Sequence, residues 1–170
     1  ECVYVKQRVS SDAQIIFSSA TINEKVKQFI ESELSNYELL KIGELIPKNI
    51  IQEVVFCPIP KKKEVLLKFL QQNKFRRIII FCNRKDKTAE ITRFLSEHSY
   101  RARELNSDLT QDERFNTLNL FKDGKVHILV SSDVAARGIH IEKVDAVINY
   151  DVPTKPEFYI HRIGRTGRQD

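Results

Sequence analysis

Apolar runs recur along the chain and alternate with stretches of helical periodicity. The runs rich in isoleucine and valine predict buried strands at Gln14–Phe17, Gln52–Cys57, Arg77–Cys82, Val126–Ser131 and Val144–Asn149. The later runs are almost entirely apolar, which is typical of strands covered on both faces. We therefore expect the core of the protein to be a sheet that is buried on both sides.

The segments between these runs carry helical patterns. Residues 64–71 place four apolar side chains on one face, and Asp86 is a candidate cap for the next helix. Residues 110–113 form a capping box, and apolar side chains follow it at helical spacing until Gly124. Strands and helices alternate at the length of a βαβ unit. The sequence thus predicts an α/β fold with a mostly parallel sheet and helices on both faces.

A change of pattern around Gly43–Asn49 indicates a domain boundary. Before it, a strand, the helix Ile22–Glu33 with a capping box at residues 21–24, and the strand Tyr37–Ile42 make one short βαβ piece. Such a piece cannot bury a core unaided. We predict that residues 1–45 end a preceding domain, that 46–50 form a linker and that 51–170 form a second domain. The alternative is that residues 1–45 are an extra flank of the main domain. Both chain ends resemble cuts within a longer protein.

Composition and charge fit a folded domain that meets a polyanion. The 170 residues are 41% hydrophobic and 30% charged, which suits a globular protein and not a disordered one. The net charge is +5, and residues 1–50 contain six basic and seven acidic side chains, so the whole basic excess lies in residues 51–170. A basic surface of this kind fits nucleic acid without establishing it.

Several kinds of site and compartment are disfavoured. Cys2, Cys57 and Cys82 include no C-x-x-C pair, which predicts free thiols in a reducing, intracellular setting. No apolar stretch approaches the length of a membrane span, so we expect no membrane partner. The sequence contains no G-x-x-x-x-G-K-[ST] phosphate loop and no D-E-x-D box. The four histidines are not at metal-ligand spacing, so we expect no metal site within this chain.

Three arginines recur at every third position near the end of the chain, in the string Tyr159–Arg168. Arg162, Arg165 and Arg168 are planar, permanently charged forks that suit phosphate oxygens, and the glycines between them allow a tight backbone turn. Positive charge accelerates phosphoryl transfer where negative charge develops in the transition state. The alternative is a solvated basic turn at the end of a helix.

The string Tyr159–Arg168 resembles the sixth motif of DEAD-box RNA helicases residue for residue. Other segments resemble further motifs of that family in the same order: Ser19-Ala20-Thr21 the third, Ile79–Asn83 the fourth, Gln111-x-x-Arg114 the Q-x-x-R, Ser131–Ile139 the fifth and Val147–Pro153 the strand before the sixth. The resemblance covers about residues 10–170. Any single short motif is a weak signal, whereas the ordered set is specific.

The resemblance implies a RecA-like, three-layer domain, the second of two in a helicase core. In that family ATP lies between the two domains, and Mg²⁺ is held by the N-terminal domain. The resemblance implies a role at the ATP site for a set of residues: Gly138, His140, His161, Arg165 and Arg168. Arg165 and Arg168 would be the arginine fingers, and His161 would also contact the N-terminal domain. Arg162 would form a structural ion pair with Asp133, although a finger role is the open alternative.

The same resemblance implies an RNA interface and a coupling element. The RNA set comprises Asn83, Arg84, Gln111, Arg114 and Ser132. These contacts would be to the phosphate backbone, and binding would therefore be blind to sequence and sensitive to salt. Ser19 and Thr21 would couple ATP hydrolysis to strand separation. The partners are therefore RNA and the N-terminal RecA-like domain of the same protein, which we expect to be monomeric.

Three departures from the family pattern stand out. His140 replaces the usual Asp, residues 105–108 read Leu-Asn-Ser-Asp in place of a segment that usually contains His-Gly-Asp, and an extra serine, at 18 or 19, precedes Ala20. The sequence predicts the C-terminal half of an ATP-dependent RNA helicase, inactive alone because it lacks the phosphate loop and the DEAD box. The alternatives are a DNA-directed helicase or translocase of the same superfamily and a non-catalytic RNA-binding module.

Overall fold

The computed structural model divides into two compact units, Glu1–Leu45 and Ile46–Asp170. It describes residues 4, 8–10, 13–19, 21–34, 36–40, 50–133, 141 and 144–166. The assignment of the first unit to a preceding domain stays a prediction.

In the first unit, helix α1 spans Glu24–Glu33. Its N-cap is Asn23, whose side chain accepts from the N–H of Val26 at 3.0 Å. The predicted capping box, which placed the N-cap at Thr21, is therefore wrong by two residues. The ring of Phe29 on this helix meets Phe17 edge to face, with the centroids 6.0 Å apart. Strands were predicted at Gln14–Phe17 and Tyr37–Ile42. Residues 14–17 and 37–40 are not in strands, and residues 41 and 42 lie outside the described residues.

The second unit contains a parallel sheet. Its strands are β1 (Ile78–Cys82), β2 (Ala102–Leu105), β3 (Ile128–Ser132) and β4 (Ala146–Asn149). Within the described residues the strand order is β2-β3-β1-β4, and every neighbouring pair is parallel. In the central register, Ile80 lies opposite Val130 on one side and Ile148 on the other.

In the described part of this unit, one helix precedes β1, two helices connect the strands and one follows β4. They are α2 (Lys62–Gln72), α3 (Lys85–Glu97), α4 (Gln111–Lys122) and α5 (Pro156–Ile163), and a short 3-10 turn at Ile59–Lys61 precedes α2. The capping box predicted for α4 is confirmed, because Thr110 and Glu113 satisfy each other's backbone N–H groups. The predicted cap of α3 is wrong. Arg84 occupies the N-cap position and Asp86 lies in the first turn.

Alternating side chains of each strand enter two separate cores. Ile79 and Phe81 of β1 pack in a core on one face that includes Phe121 of α4. Ile78, Ile80 and Cys82 face the other way and join α2 and α3 in the second core. Helices therefore cover both faces of the sheet, as the apolar runs predicted. Among the described residues, no helix combines the length and apolar character needed to cross a membrane.

Two segments differ from the pattern-based prediction. The segment Gln52–Cys57 is not a strand, and no backbone hydrogen bond joins it to another described segment. Its large side chains are exposed, including Phe56 at 94%, since no neighbouring strand covers them. Strand β2 was missed because the sequence Ala-Arg-Glu-Leu has two charged residues in its middle and forms neither an apolar run nor an alternating pattern. It lies at the edge of the sheet and is only partly buried.

Candidate functional site

Polar side chains collect at the carboxyl edge of the sheet. In a parallel sheet all strands end on the same edge, which is where ligands bind in open α/β folds. Asn83 follows β1, Asp133 follows β3 and Asp151 lies just beyond β4. Helix α5 delivers Arg162 to these three strand ends. The first feature of the candidate site is therefore a polar cluster at this edge.

Arg162 is buried at the centre of this cluster, with 1% of the residue exposed. Its Nε donates to Asp133 Oδ1 at 2.6 Å and its Nη2 donates to Asp133 Oδ2 at 2.8 Å. This is a forked, charge-assisted pair of the kind that arginine and carboxylate form most strongly. The two residues expected to form a structural ion pair are thus in direct contact.

The remaining N–H groups of Arg162 are also bonded. Nη1 donates to Asn149 Oδ1 at 3.0 Å and to the carbonyl oxygen of Asp151 at 2.8 Å. Nη2 donates to Asn83 Oδ1 at 2.7 Å. A guanidinium has five N–H donors, and here each one meets an acceptor. Arg162 thus links the ends of three strands to α5.

Asp151 extends the cluster towards α2. Its Oδ1 accepts from Lys62 Nζ at 2.9 Å, and its Oδ2 accepts from the backbone N–H of Asn83 at 3.1 Å. The ammonium of Lys62 also lies 4.2 Å from the ring centre of Tyr150. Burial raises the pKa of Tyr150 to about 12, and the carboxylates of Glu90 and Asp151 add to this shift. Tyr150 therefore stays neutral beside the ion pair over a wide pH range.

Helix α5 ends beside the cluster with two further cationic candidates. His161 and Arg165 are both partly exposed, and Arg165 Nε donates to the carbonyl oxygen of His161 at 3.3 Å. Between them Gly164 caps the helix, and a Cβ there would lie 3.2 Å from the carbonyl oxygen of Ile160. Thr166 then anchors the turn by donating to the carbonyl oxygen of Val144 at 2.6 Å. Gly138, His140 and Arg168 lie outside the described residues.

The RNA candidates occupy the same edge of the domain. Arg84 follows β1 and makes a forked contact with Asp86 at 2.9 and 2.8 Å. Gln111 is the first residue of α4 and is exposed, and Arg114 lies one turn later on the same helix. Ser132 is the last residue of β3 and is 8% exposed. The ends of β1 and β3 and the start of α4 therefore contain all the RNA candidates. Among them, the side chain of Asn83 is bonded to Arg162 and to the carbonyl oxygen of Val152.

The loop between β2 and α4 contains polar residues that the sequence did not single out individually. Buried Asn106 accepts from the N–H of Asp108 at 2.9 Å and donates to Glu104 Oε2 at 3.1 Å. Asp108 then forms an exposed ion pair with Lys85 Nζ at 3.0 Å. The Asn-x-Asp spacing could have indicated this local turn. These contacts give the departure at residues 105–108 a structural role in ordering the loop.

The coupling candidates Ser19 and Thr21 belong to the first unit. The hydroxyl of Ser19 donates to the carbonyl oxygen of Thr21 at 2.7 Å and accepts from its N–H at 3.3 Å. This local turn precedes α1. Ala20 lies outside the described residues. Within the ranges that the structure describes, no three histidine, cysteine or carboxylate side chains are grouped closely enough to hold a metal ion.

Comparison with known proteins identifies the domain family. Residues 61–170 match the model of the helicase conserved C-terminal domain. The chain belongs to the helicase C-terminal domain family. Its relatives are DEAD-box proteins, as the ordered motifs predicted, and the expectation of a RecA-like fold is confirmed with the family.

Individual relatives of the helicase domain come from bacteria and yeast. The ATP-dependent RNA helicase DeaD of Buchnera aphidicola subsp. Baizongia pistaciae is 36% identical over 156 residues, covering 91% of this chain and 26% of the relative. The ATP-dependent RNA helicase CshA of Listeria monocytogenes is 36% identical over 166 residues, covering 96% and 32%. The structure of S. cerevisiae Dbp5 bound to RNA and ADP BeF3 superposes with a TM-score of 0.80 at 29% identity, covering 98% of this chain and 45% of that one. The helicase domain therefore spans well under half of these relatives.

Proposed function

We propose that this helicase domain is the C-terminal half of an ATP-dependent RNA helicase that unwinds or remodels RNA. ATP would bind between it and an N-terminal RecA-like domain. The proposal is supported by relatives named as ATP-dependent RNA helicases. Because those names specify RNA, a DNA-directed helicase is not favoured.

The observation that carries the proposal is the different environment of two neighbouring arginines. All the N–H groups of Arg162 form hydrogen bonds inside the domain. Arg165 lies one turn later and is partly exposed at the end of α5. Folding explains the first arginine. A second permanent charge at the partly exposed end of α5, beside the strand ends where ligands bind in open α/β folds, suits an anionic ligand such as the terminal phosphate. We therefore assign Arg165 as an arginine finger, with His161 beside it. Arg168, Gly138 and His140 stay predicted members of the same site.

The residues present fit only part of a nucleotide site. Arg165 supplies positive charge and His161 supplies ring nitrogens for hydrogen bonding, but the chain has no phosphate loop and its described part has no metal-holding group. ATP would supply a phosphoanhydride bond that breaks as its terminal phosphoryl group passes to water and ADP leaves, and the negative charge of that transition state is what a nearby guanidinium stabilises. Mg²⁺ and most contacts to the triphosphate would come from the N-terminal domain. The helicase domain alone should therefore be inactive as an ATPase.

RNA would bind along the carboxyl edge through phosphate contacts. Arg84 supplies charge after β1, Gln111 and Arg114 lie in the first turn of α4, and Ser132 supplies a hydroxyl at the end of β3. The positive end of the α4 dipole adds to the attraction for phosphate, and the N–H of Glu113 is already bonded to the Thr110 hydroxyl. Such contacts carry no base information, so affinity should fall steeply with salt and vary little with sequence.

The test is RNA-stimulated ATP hydrolysis by the full-length protein. Arg165→Ala should lower kcat by roughly three to five powers of ten, as expected for loss of an arginine finger. The control is Arg93→Ala on the exposed face of α3, which should leave kcat unchanged. Near-normal turnover by Arg165→Ala would contradict the finger assignment. Normal turnover by the 170-residue chain alone would contradict the two-domain site.

A further inference from the structure

We infer that Asn83 is a positioning residue that ties the RNA-facing end of β1 to α5, the helix that ends beside Arg165. The inference rests on the proposed function and deepens it. It gives Asn83 a role inside the domain, in place of the direct phosphate contact that its position after a strand suggests.

The contacts of Asn83 use its whole side-chain amide. Oδ1 accepts from Arg162 Nη2 at 2.7 Å, and Nδ2 donates to the carbonyl oxygen of Val152 at 2.9 Å. Arg162 can only donate and a carbonyl can only accept, so these partners fix the orientation of the amide. The backbone N–H of Asn83 is also used, because it donates to Asp151 Oδ2 at 3.1 Å.

The position of Asn83 makes it a link between two surfaces. It directly precedes Arg84, an RNA candidate, and its partner Arg162 lies on α5 three residues before Arg165. A displacement of the segment after β1 on RNA binding would therefore reach α5 through the hydrogen bond from Arg162 to Asn83. The ring of Phe81 adds a second contact from β1, with its centre 5.1 Å from Arg162 Cζ. That contact is softer, because it lacks the directionality of a hydrogen bond.

The burial of Arg162 makes the Asn83 contact consequential. A buried donor that loses its acceptor retains an uncompensated desolvation penalty. Without the amide, Nη2 of Arg162 would keep only its bond to Asp133, and α5 would remain attached through β3 and β4. The domain should therefore stay folded while α5 loses its polar link to β1. An error of about 1 Å in the placement of a catalytic group can cost roughly a hundredfold in rate.

Asn149 provides a matched control. Its Oδ1 also accepts from Arg162, at 3.0 Å, but it lies on β4 and is not adjacent to an RNA candidate. Asn83→Ala and Asn149→Ala each remove one acceptor from the same guanidinium. If the effect is a general loss of stability, both variants should lose RNA stimulation of ATP hydrolysis alike. If Asn83 specifically links the segment after β1 to α5, only Asn83→Ala should lose it.

The experiment measures ATP hydrolysis by the full-length protein with and without saturating RNA, and RNA affinity without nucleotide across a salt series. For Asn83→Ala we expect the ratio of stimulated to unstimulated kcat to fall about ten- to a hundredfold. We expect RNA affinity and its salt dependence to stay unchanged. Asn149→Ala should retain the stimulation ratio.

Three results would overturn the inference. One is an unchanged stimulation ratio in Asn83→Ala, the second is an equal loss in Asn149→Ala, and the third is a weaker salt dependence that marks Asn83 as a phosphate ligand. If Asn83→Ala fails to fold, Asn83→Asp replaces it. It retains an acceptor for Arg162 and should keep the ratio within about threefold, and loss of stimulation there would reject the link. Arg165→Ala separates the two hypotheses, because a failed finger rejects the proposed function whereas a failed Asn83 effect rejects only this inference.

Discussion

Arg162 and Asp133 form a buried, two-pronged ion pair, with N–O distances of 2.6 and 2.8 Å and 1% of the arginine side chain exposed. The pair explains how the string of three arginines can be stable. The first charge is neutralised inside the domain and does not add to the repulsion at the surface. The spacing of three residues then carries the next arginine past the end of α5.

Arg162→Ala should destabilise the domain strongly. Removing one partner of a buried ion pair leaves an uncompensated charge and typically costs about 3–5 kcal/mol. Urea unfolding of the helicase domain should show this loss. Arg84→Ala is the matched control, because the Arg84–Asp86 pair is exposed and its removal should leave the unfolding midpoint nearly unchanged. Equal midpoints for the parent and Arg162→Ala would contradict the importance of the cluster.

Ser99→Gly should stabilise the domain by about 0.5–1 kcal/mol. Ser99 follows the C-cap of α3, His98, and has a φ of 65°, a left-handed conformation in which a side chain is strained. The turn is otherwise regular, since the N–H of Tyr100 donates to the carbonyl oxygen of Leu95 at 3.0 Å. Thermal unfolding measures the change. Gly124→Ala is the opposite control, because Gly124 has a φ of 70° and open space around it, so backbone strain alone should lower stability by about 1 kcal/mol.

Thr110→Ala should cost about 1 kcal/mol of unfolding free energy. The Thr110 hydroxyl accepts from the N–H of Glu113 at 3.3 Å, and Glu113 Oε2 accepts from the N–H of Thr110 at 2.8 Å. Thr110→Ser keeps the hydroxyl and should behave like the parent in urea unfolding. A Ser variant as unstable as the Ala variant would indicate that packing of the methyl group, and not the cap, holds the start of α4.

The domain should lose stability progressively between about pH 9 and pH 12. Burial raises the pKa of Cys82 to about 12, with a smaller contribution from Asp151, and burial likewise raises the pKa of Tyr150 to about 12. The unfolded chain releases both protons at their lower ordinary values, so the folded state binds more protons above pH 9 and stability falls as pH rises.

Tyr150→Phe isolates one of these two groups. It removes the phenol proton but keeps the ring beneath Lys62. Urea unfolding at pH 8, 10 and 11 should show a shallower decline for the variant than for the parent above pH 10. At pH 8 the phenol is neutral in both folded and unfolded chains, which makes that point the internal reference. Parallel declines would show that Tyr150 does not contribute.

The sequence predicted the strands that are buried on both faces, because their apolar runs leave little ambiguity. It missed β2, where an edge position permits polar side chains, and it overpredicted Gln52–Cys57, whose composition suits a strand that has no neighbour here. The pattern of residues within a segment shows whether that segment favours a strand. Whether a neighbouring strand is available to pair with it depends on the whole fold.

The candidate site was predictable in part. The resemblance to the family motifs predicted an ion pair between Arg162 and Asp133. The structure adds the three further acceptors that surround the Arg162 guanidinium. Asn83 shows where the sequence is insufficient. A polar residue after a strand is compatible both with phosphate and with a buried guanidinium, and only the three-dimensional meeting of β1 and α5 distinguishes them.

The position of β1 at the centre of the sheet has a consequence for biosynthesis. Ile78 pairs with Ile128 and Ala146, both of which emerge from the ribosome after it. At a translation rate of about 5–20 residues per second, this apolar segment spends on the order of seconds without either neighbour. We expect the nascent chain to be most dependent on chaperones in that interval, before β3 is available to cover one side of β1.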